Sequence, residues 1–119
     1  MAYQSFEDLE VWKRGCRQAV DVYRTLANDP HFSLKNQMEK SALSVPSNIA
    51  EGAERDSPGD FIRFPRIAKG SNGELRTQTY LAAELGILAR NKARAMIAES
   101  KEISAMLQGL IRSLQKSTH

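Results

Sequence analysis

Apolar residues recur along the chain at steps of three and four, the spacing that lays them on one face of a helix. No segment alternates with the period of two that marks a half-buried strand. A first segment, residues 6–28, carries Leu9, Trp12, Cys16, Ala19, Tyr23 and Leu26 on one stripe. Ser5 and Asp8 form a partial capping box at its start, and Asn28-Asp29-Pro30 stops it. A second, residues 34–53, carries Leu34, Met38, Ser41, Ala42, Val45, Ile49 and Ala53 behind a Ser33 cap. Pro46 inside it removes one backbone donor and predicts a kink near Ala42–Pro46.

The third segment, residues 58–89, has a clear beginning: Ser57 caps, Pro58 suits the first helical position and Asp60 lies in the first turn. Its stripe runs through Phe61, Phe64, Ala68, Ser71, Leu75, Ala82, Leu85 and Leu88, and Pro65 predicts a bend or a restart. Arg90-Asn91 then makes a short link to residues 92–116, where Met96, Ser100, Ile103, Leu107, Leu110 and Leu114 form a coiled-coil-like seam. Four amphipathic helices on short links predict an all-α fold, an antiparallel up-down-up-down four-helix bundle, as one domain over residues 1–119.

Apolar positions remain outside the stripes. Val11 and Val22 share a second face of the first helix with Gly15 and Gln18. Ile62, Ile67, Tyr80, Leu81 and Ile87 widen the third helix, and Ile97 and Ile111 the fourth. Stripes this broad either fill a thick core or cover a second buried surface, which in a small protein points to self-association.

Charge refines this picture. The formal net charge is +3, but residues 1–60 hold ten acids against seven bases, and residues 61–119 hold four acids against ten bases. Any electropositive face therefore belongs to the second half, through Arg63, Arg66, Lys69, Arg90, Lys92, Arg94, Lys101, Arg112 and Lys116. Such a set reads either as a solvated bundle surface or as a phosphate-contacting one for RNA or DNA.

Chemistry is sparse. His31 lies in a loop and His119 is the last residue, so neither follows a Glu at the Glu-x-x-His spacing of di-iron bundles. Cys16, the single cysteine, forms no disulfide framework, has no evident His partner and reads as a buried thiol of a reducing, cytoplasmic setting. Gly70-Ser71-Asn72-Gly73 fits neither phosphate-binding glycine pattern. No leader pattern or membrane-length apolar run is visible. These absences argue against catalysis and imply no metal or cofactor. The polar middle is richer. Asn48, Glu51 and Arg55 follow at helical spacing beside the second stripe, and Ser71 and Glu74 flank the third.

Three runs carry a resemblance: Phe6-Glu7-Asp8-Leu9-Glu10-Val11-Trp12; Gln37 with Ser44-Val45-Pro46-Ser47-Asn48-Ile49-Ala50-Glu51-Gly52; and Ile67-Ala68-Lys69-Gly70-Ser71 with Glu74-Leu75. In order and spacing they resemble the four-helix-bundle proteins named for 23S ribosomal RNA intervening sequences. The resemblance implies an up-down-up-down bundle assembled as a homopentamer. It also implies no established enzymatic activity. Some relatives bind nucleic acid as accessory proteins to reverse transcriptases of diversity-generating retroelements, so a reverse transcriptase or another protein is an implied partner. It carries a structural or assembly role onto Asn48, Glu51, Gly52, Arg55, Gly70, Ser71 and Glu74. Pro65 departs from the pattern, where a Leu-like residue is more usual, and puts the straightness of the third helix in question.

Overall fold

The computed structural model describes residues 5–55 and 57–117, and His119 lies outside them. After a 3-10 turn at Phe6–Asp8 come four helices: α1 (Glu10–Thr25), α2 (Phe32–Ala53), α3 (Pro58–Glu84) and α4 (Arg90–Ser117). They pack as an all-α four-helix bundle, 48 × 19 × 19 Å, with contacts around the ring α1–α2–α3–α4–α1. Cross-helix contacts advance in opposite directions along each neighbouring pair. On α1 and α4, Arg14 meets Glu99 and Asp21 meets Lys92. On α3 and α4, Lys69 meets Gln108 and Asn72 meets Ser100.

Local chemistry sets the ends. Ser57 Oγ accepts from the Asp60 amide and Pro58 opens α3, as the sequence predicts. Several ends differ from expectation, and α1 closes at Thr25 rather than 28. Ser5 caps the short 3-10 turn, accepting from the Glu7 amide, so α1 starts only at Glu10. α2 begins at Phe32, and His31 rather than Ser33 stands at its N-cap without a side-chain cap bond. α3 stops at Glu84 rather than 89 because Gly86 turns left-handed, at φ 76°. The Gly86 amide then bonds the Ala83 carbonyl and the Ile87 amide the Ala82 carbonyl, a Schellman closure. Residues 85–89 are thus the link, and Arg90, expected within it, opens α4.

The buried face of α1 also differs. It is Val11, Gly15, Gln18, Ala19 and Val22, continuing to Leu26, whereas Tyr23 is exposed and Cys16 only half-buried. The reason lies at Gly15, where an added Cβ would stand 3.3 Å from Val45 Cγ1 and 3.5 Å from Pro46 Cδ. The missing side chain lets α2 approach along that face and turns the neighbouring stripe outward.

Both internal prolines rest in such seats. α2 runs through Pro46, whose ring lies against Gly15, and α3 runs through Pro65, whose ring lies against Gly52. α2 is continuous through Pro46, and α3 does not restart after Pro65.

Two apolar clusters fill the bundle. One gathers Val22, Leu26, Met38, Leu75 and Met96; the other gathers Val11, Val45, Ile49, Ile103 and Leu107. A Cβ on Gly52 would meet Phe64 Cβ at 2.9 Å and Pro65 Cδ at 3.2 Å, while one on Gly70 would meet nothing within 4 Å. Gly52→Ala should therefore destabilise the fold by about 1–3 kcal/mol through overpacking. Gly70→Ala should stabilise it by up to about 1 kcal/mol through helix propensity. Urea denaturation of the two variants checks both signs.

Candidate functional site

Between the two apolar clusters lies a polar layer. Asn72, fully buried on α3, donates through Nδ2 to the Ser100 carbonyl at 2.7 Å. Its Oδ1 accepts from Gln18 Nε2 at 3.3 Å and lies 3.1 Å from Ser100 Oγ. Arg76 Nε donates to Ser100 Oγ at 3.0 Å. One amide thus ties α1, α3 and α4 at a single level. A buried amide demands this, because an unmet donor or acceptor costs about 1–3 kcal/mol. Asn72, Gln18, Arg76 and Ser100 were not read as a network from the sequence. The signal was there: Ala68, Asn72, Leu75, Thr79 and Ala82 step by four, three, four and three, so Asn72 and Thr79 occupy core positions of α3.

On the bundle flank, Arg14 grips Glu99 with two hydrogen bonds, at 2.7 and 2.6 Å, and reaches Glu102 at 2.8 Å. These bonds push the Arg14 guanidinium up and hold the Glu99 carboxyl below its ordinary range. Burial pushes the Cys16 thiol up. Among the described residues, no group of three or more His, Cys, Asp or Glu could hold a metal ion. None of the helices there is long and apolar enough to cross a membrane.

The residues singled out by the resemblance divide. Asn48 donates to the Ser44 carbonyl and hydroxyl, and Ser44 Oγ lies 2.7 Å from Ser71 Oγ, so Asn48 and Ser71 join through Ser44 across α2 and α3. Glu51 and Arg55 pair on the surface at 3.0 Å, and Arg55 lies over the Phe64 ring. Gly52 seats Phe64 and Pro65; Gly70 and Glu74 are exposed on α3.

The basic residues divide as well. Lys92 is bound by Asp21 at 2.8 and 3.1 Å, and Arg90 lies 3.5 Å from Glu84. Arg94 and Lys101 are exposed on α4. The other five concentrate where the first half of α3 crosses the second half of α4. Neither 61–73 nor 103–117 contains an acidic residue. Arg66, Lys69, Gly70, Gln108, Ile111 and Gln115 line a groove of about 430 Å³ there. Lys69 Nζ donates to Gln108 Oε1 at 2.7 Å across it. Arg112 and Lys116 continue the row from Gln108 at steps of four, and Arg63 precedes Arg66 by three. Arg63 lies 4.0 Å from Asp60, and its guanidinium stands over the Phe64 ring.

A second surface is apolar. Phe32 of α2 and Leu85, just past the end of α3, are 71% and 69% exposed, and Leu43, Ile67, Tyr80 and Leu81 of these two helices are exposed with them.

The profile of the family described as 23S rRNA-intervening sequence protein matches residues 7–109. A solved structure superposes with a TM-score of 0.80 at 26% identity, covering 85% of this chain and 97% of that one. It is a protein of unknown function from the S23 ribosomal protein family of Bacteroides thetaiotaomicron. No curated protein sequence matches the chain.

The two polar groups should respond differently to truncation. Asn72→Ala should cost about 2–4 kcal/mol in urea denaturation, since it strips partners from Gln18 and Ser100 inside the core. Glu51→Ala should cost no more than about 0.5 kcal/mol, as exposed pairs do. Glu99 has its folded-state pKa depressed, so its contribution to stability is present above its usual pKa of 4.5 and lost as the pH falls below it. Denaturation midpoints should therefore drop from about pH 6 to about pH 3, with a shallower slope in Glu99→Gln.

Proposed function

The chain belongs to the 23S rRNA-intervening sequence protein family, and from that premise we propose that it is a non-enzymatic, self-associating bundle that binds RNA or DNA through the basic α3/α4 groove. The observation that carries this reading is the crossing of α3 and α4, whose stretches 61–73 and 103–117 hold no acid: Arg66 and Lys69 line the groove there, with Arg63, Arg112 and Lys116 at helical spacing from its lining residues. Opposing carboxylates elsewhere neutralise Lys92 and Arg90, so those positions offer phosphate little. A surface whose cations outnumber its carboxylates attracts a polyanion and releases its counterions on binding.

Self-association rests on the exposed apolar face of α2 and α3, which a second copy would cover. A closed ring, the pentamer that the family resemblance implies, repeats the basic groove by symmetry and multiplies weak contacts. The same apolar face supports a second reading, a scaffold that takes a protein partner, a reverse transcriptase among them, without nucleic acid. A cytoplasmic setting suits either role.

Fluorescence anisotropy with a labelled single-stranded oligonucleotide separates the two readings. Four to five phosphate contacts predict a loss of roughly 50- to 100-fold in affinity between about 50 and about 200 mM salt. Arg66→Gln with Arg112→Gln should weaken binding and reduce the salt slope by about 1–2, whereas Arg90→Gln with Lys92→Gln should leave both unchanged. Binding that ignores salt or the α3/α4 pair contradicts the reading. Light scattering should give a multiple of 13.3 kDa; a monomer contradicts the assembly.

A further inference from the structure

Proteins that hold a single nucleic-acid strand combine cations with exposed rings, because unpaired bases stack on aromatic faces and each stack adds affinity. The α3/α4 groove has the cations without the rings. Its lining is Arg66, Lys69, Gly70, Gln108, Ile111 and Gln115. Ile111, the one large apolar side chain among them, is 3% exposed and offers a base almost no surface. Gln108 Oε1 is already taken by Lys69 Nζ.

The aromatic side chains are covered or placed elsewhere. Phe64 is buried, with the guanidinium groups of Arg55 and Arg63 over its ring. Phe61 is half-buried in the first turn of α3, and Trp12 packs edge-on against Phe6 at the start of α1. The exposed rings, Tyr23, Phe32 and Tyr80, belong to the other half of the bundle, on the end of α1, the start of α2 and the last turns of α3. Tyr3 lies outside the described residues.

The cations, by contrast, stand on a rigid frame. Arg66 and Lys69 lie on α3 with Arg63 one turn before them, and Arg112 and Lys116 follow Gln108 on α4. The Lys69–Gln108 and Asn72–Ser100 bonds fix the two helices against each other. Asp60 answers Arg63 at 4.0 Å, while 61–73 and 103–117 hold no acid. Cations fixed on two helices suit a polyanion whose phosphates are themselves fixed. A duplex presents two strands of them, at one charge per about 1.7 Å of axis. A flexible single strand has a lower charge density and must be ordered on binding, and without stacking nothing offsets that loss.

We propose, resting on the nucleic-acid reading of this groove, that its ligand is a double helix, held by its phosphates and without regard to base sequence. Arg66, Lys69, Arg112 and Lys116 contact the backbone, and the bases stay paired and stacked.

Anisotropy titrations of the full chain with a labelled DNA duplex and with each of its separated strands, at equal salt, test this. The strands are chosen not to pair with themselves. The duplex should bind at least about tenfold more tightly than either strand, with a salt slope about 1.3 times as steep. A GC-rich and an AT-rich duplex should agree within about threefold. Arg66→Gln with Arg112→Gln should lower duplex affinity at least about fivefold; an unchanged affinity puts the duplex on another surface and overturns the proposal. A strand bound as tightly as the duplex, or a marked preference between the two duplexes, overturns it while leaving the groove as a nucleic-acid site. Failure of both duplex and strands to bind overturns the nucleic-acid reading itself, and the proposal with it.

Discussion

Asn72 divides the interior of the bundle, and the placement of three helices depends on how its amide is satisfied. Val22, Leu26, Met38, Leu75 and Met96 lie to one side of it; Val11, Val45, Ile49, Ile103 and Leu107 lie to the other. Apolar packing alone tolerates sliding and repacking, because it is non-directional. A fully buried amide does not. If α4 moved by one turn along α3, Asn72 Nδ2 would lose the Ser100 carbonyl and be stranded in the core, although that carbonyl would keep its bond within α4. The same register sets Arg66 and Lys69 against Gln108 and the row that Arg112 and Lys116 continue, so the basic groove inherits its alignment from the buried layer.

α2 is held differently. It contributes no side chain to the Asn72 layer, and it is positioned by close approach. Pro46 lies against Gly15 on α1, and Pro65 of α3 lies against Gly52 of α2. The two prolines, which would otherwise weaken their own helices, are placed where a neighbour has no side chain to oppose the ring. Polar ties fix α1, α3 and α4, and proline-glycine seats bring α2 onto them.

Four helices, their order and the Ser57-Pro58 start of α3 were legible in the sequence because periodicity and capping are local properties. The faces were harder. α1 carries two apolar stripes, and the choice between them was made by Gly15, whose meaning lies in what α2 places opposite. Asn72 escaped because Ser71, one residue away, fits the same steps of three and four between Ala68 and Leu75, and Thr79 because the apolar stripe passes directly from Leu75 to Ala82. The charge asymmetry located the cations in the second half of the chain. It did not separate the groove residues from Lys92, whose partner Asp21 is 71 positions away. The network residues named by resemblance carry a local part that helical spacing gives, the Glu51–Arg55 pair, and a cross-helix part that it does not, the Ser44–Ser71 contact.

Gln18 carries the same layer onto α1, turning its Nε2 donor to Asn72 Oδ1. Groove and register therefore share one origin. A double-mutant cycle between Asn72→Ala and Gln18→Ala, whose side chains bond directly across α1 and α3, read by equilibrium denaturation, tests it most directly. A coupling energy of about 1 kcal/mol or more is expected. Additivity within about 0.3 kcal/mol would show that the two side chains act independently, and would contradict it.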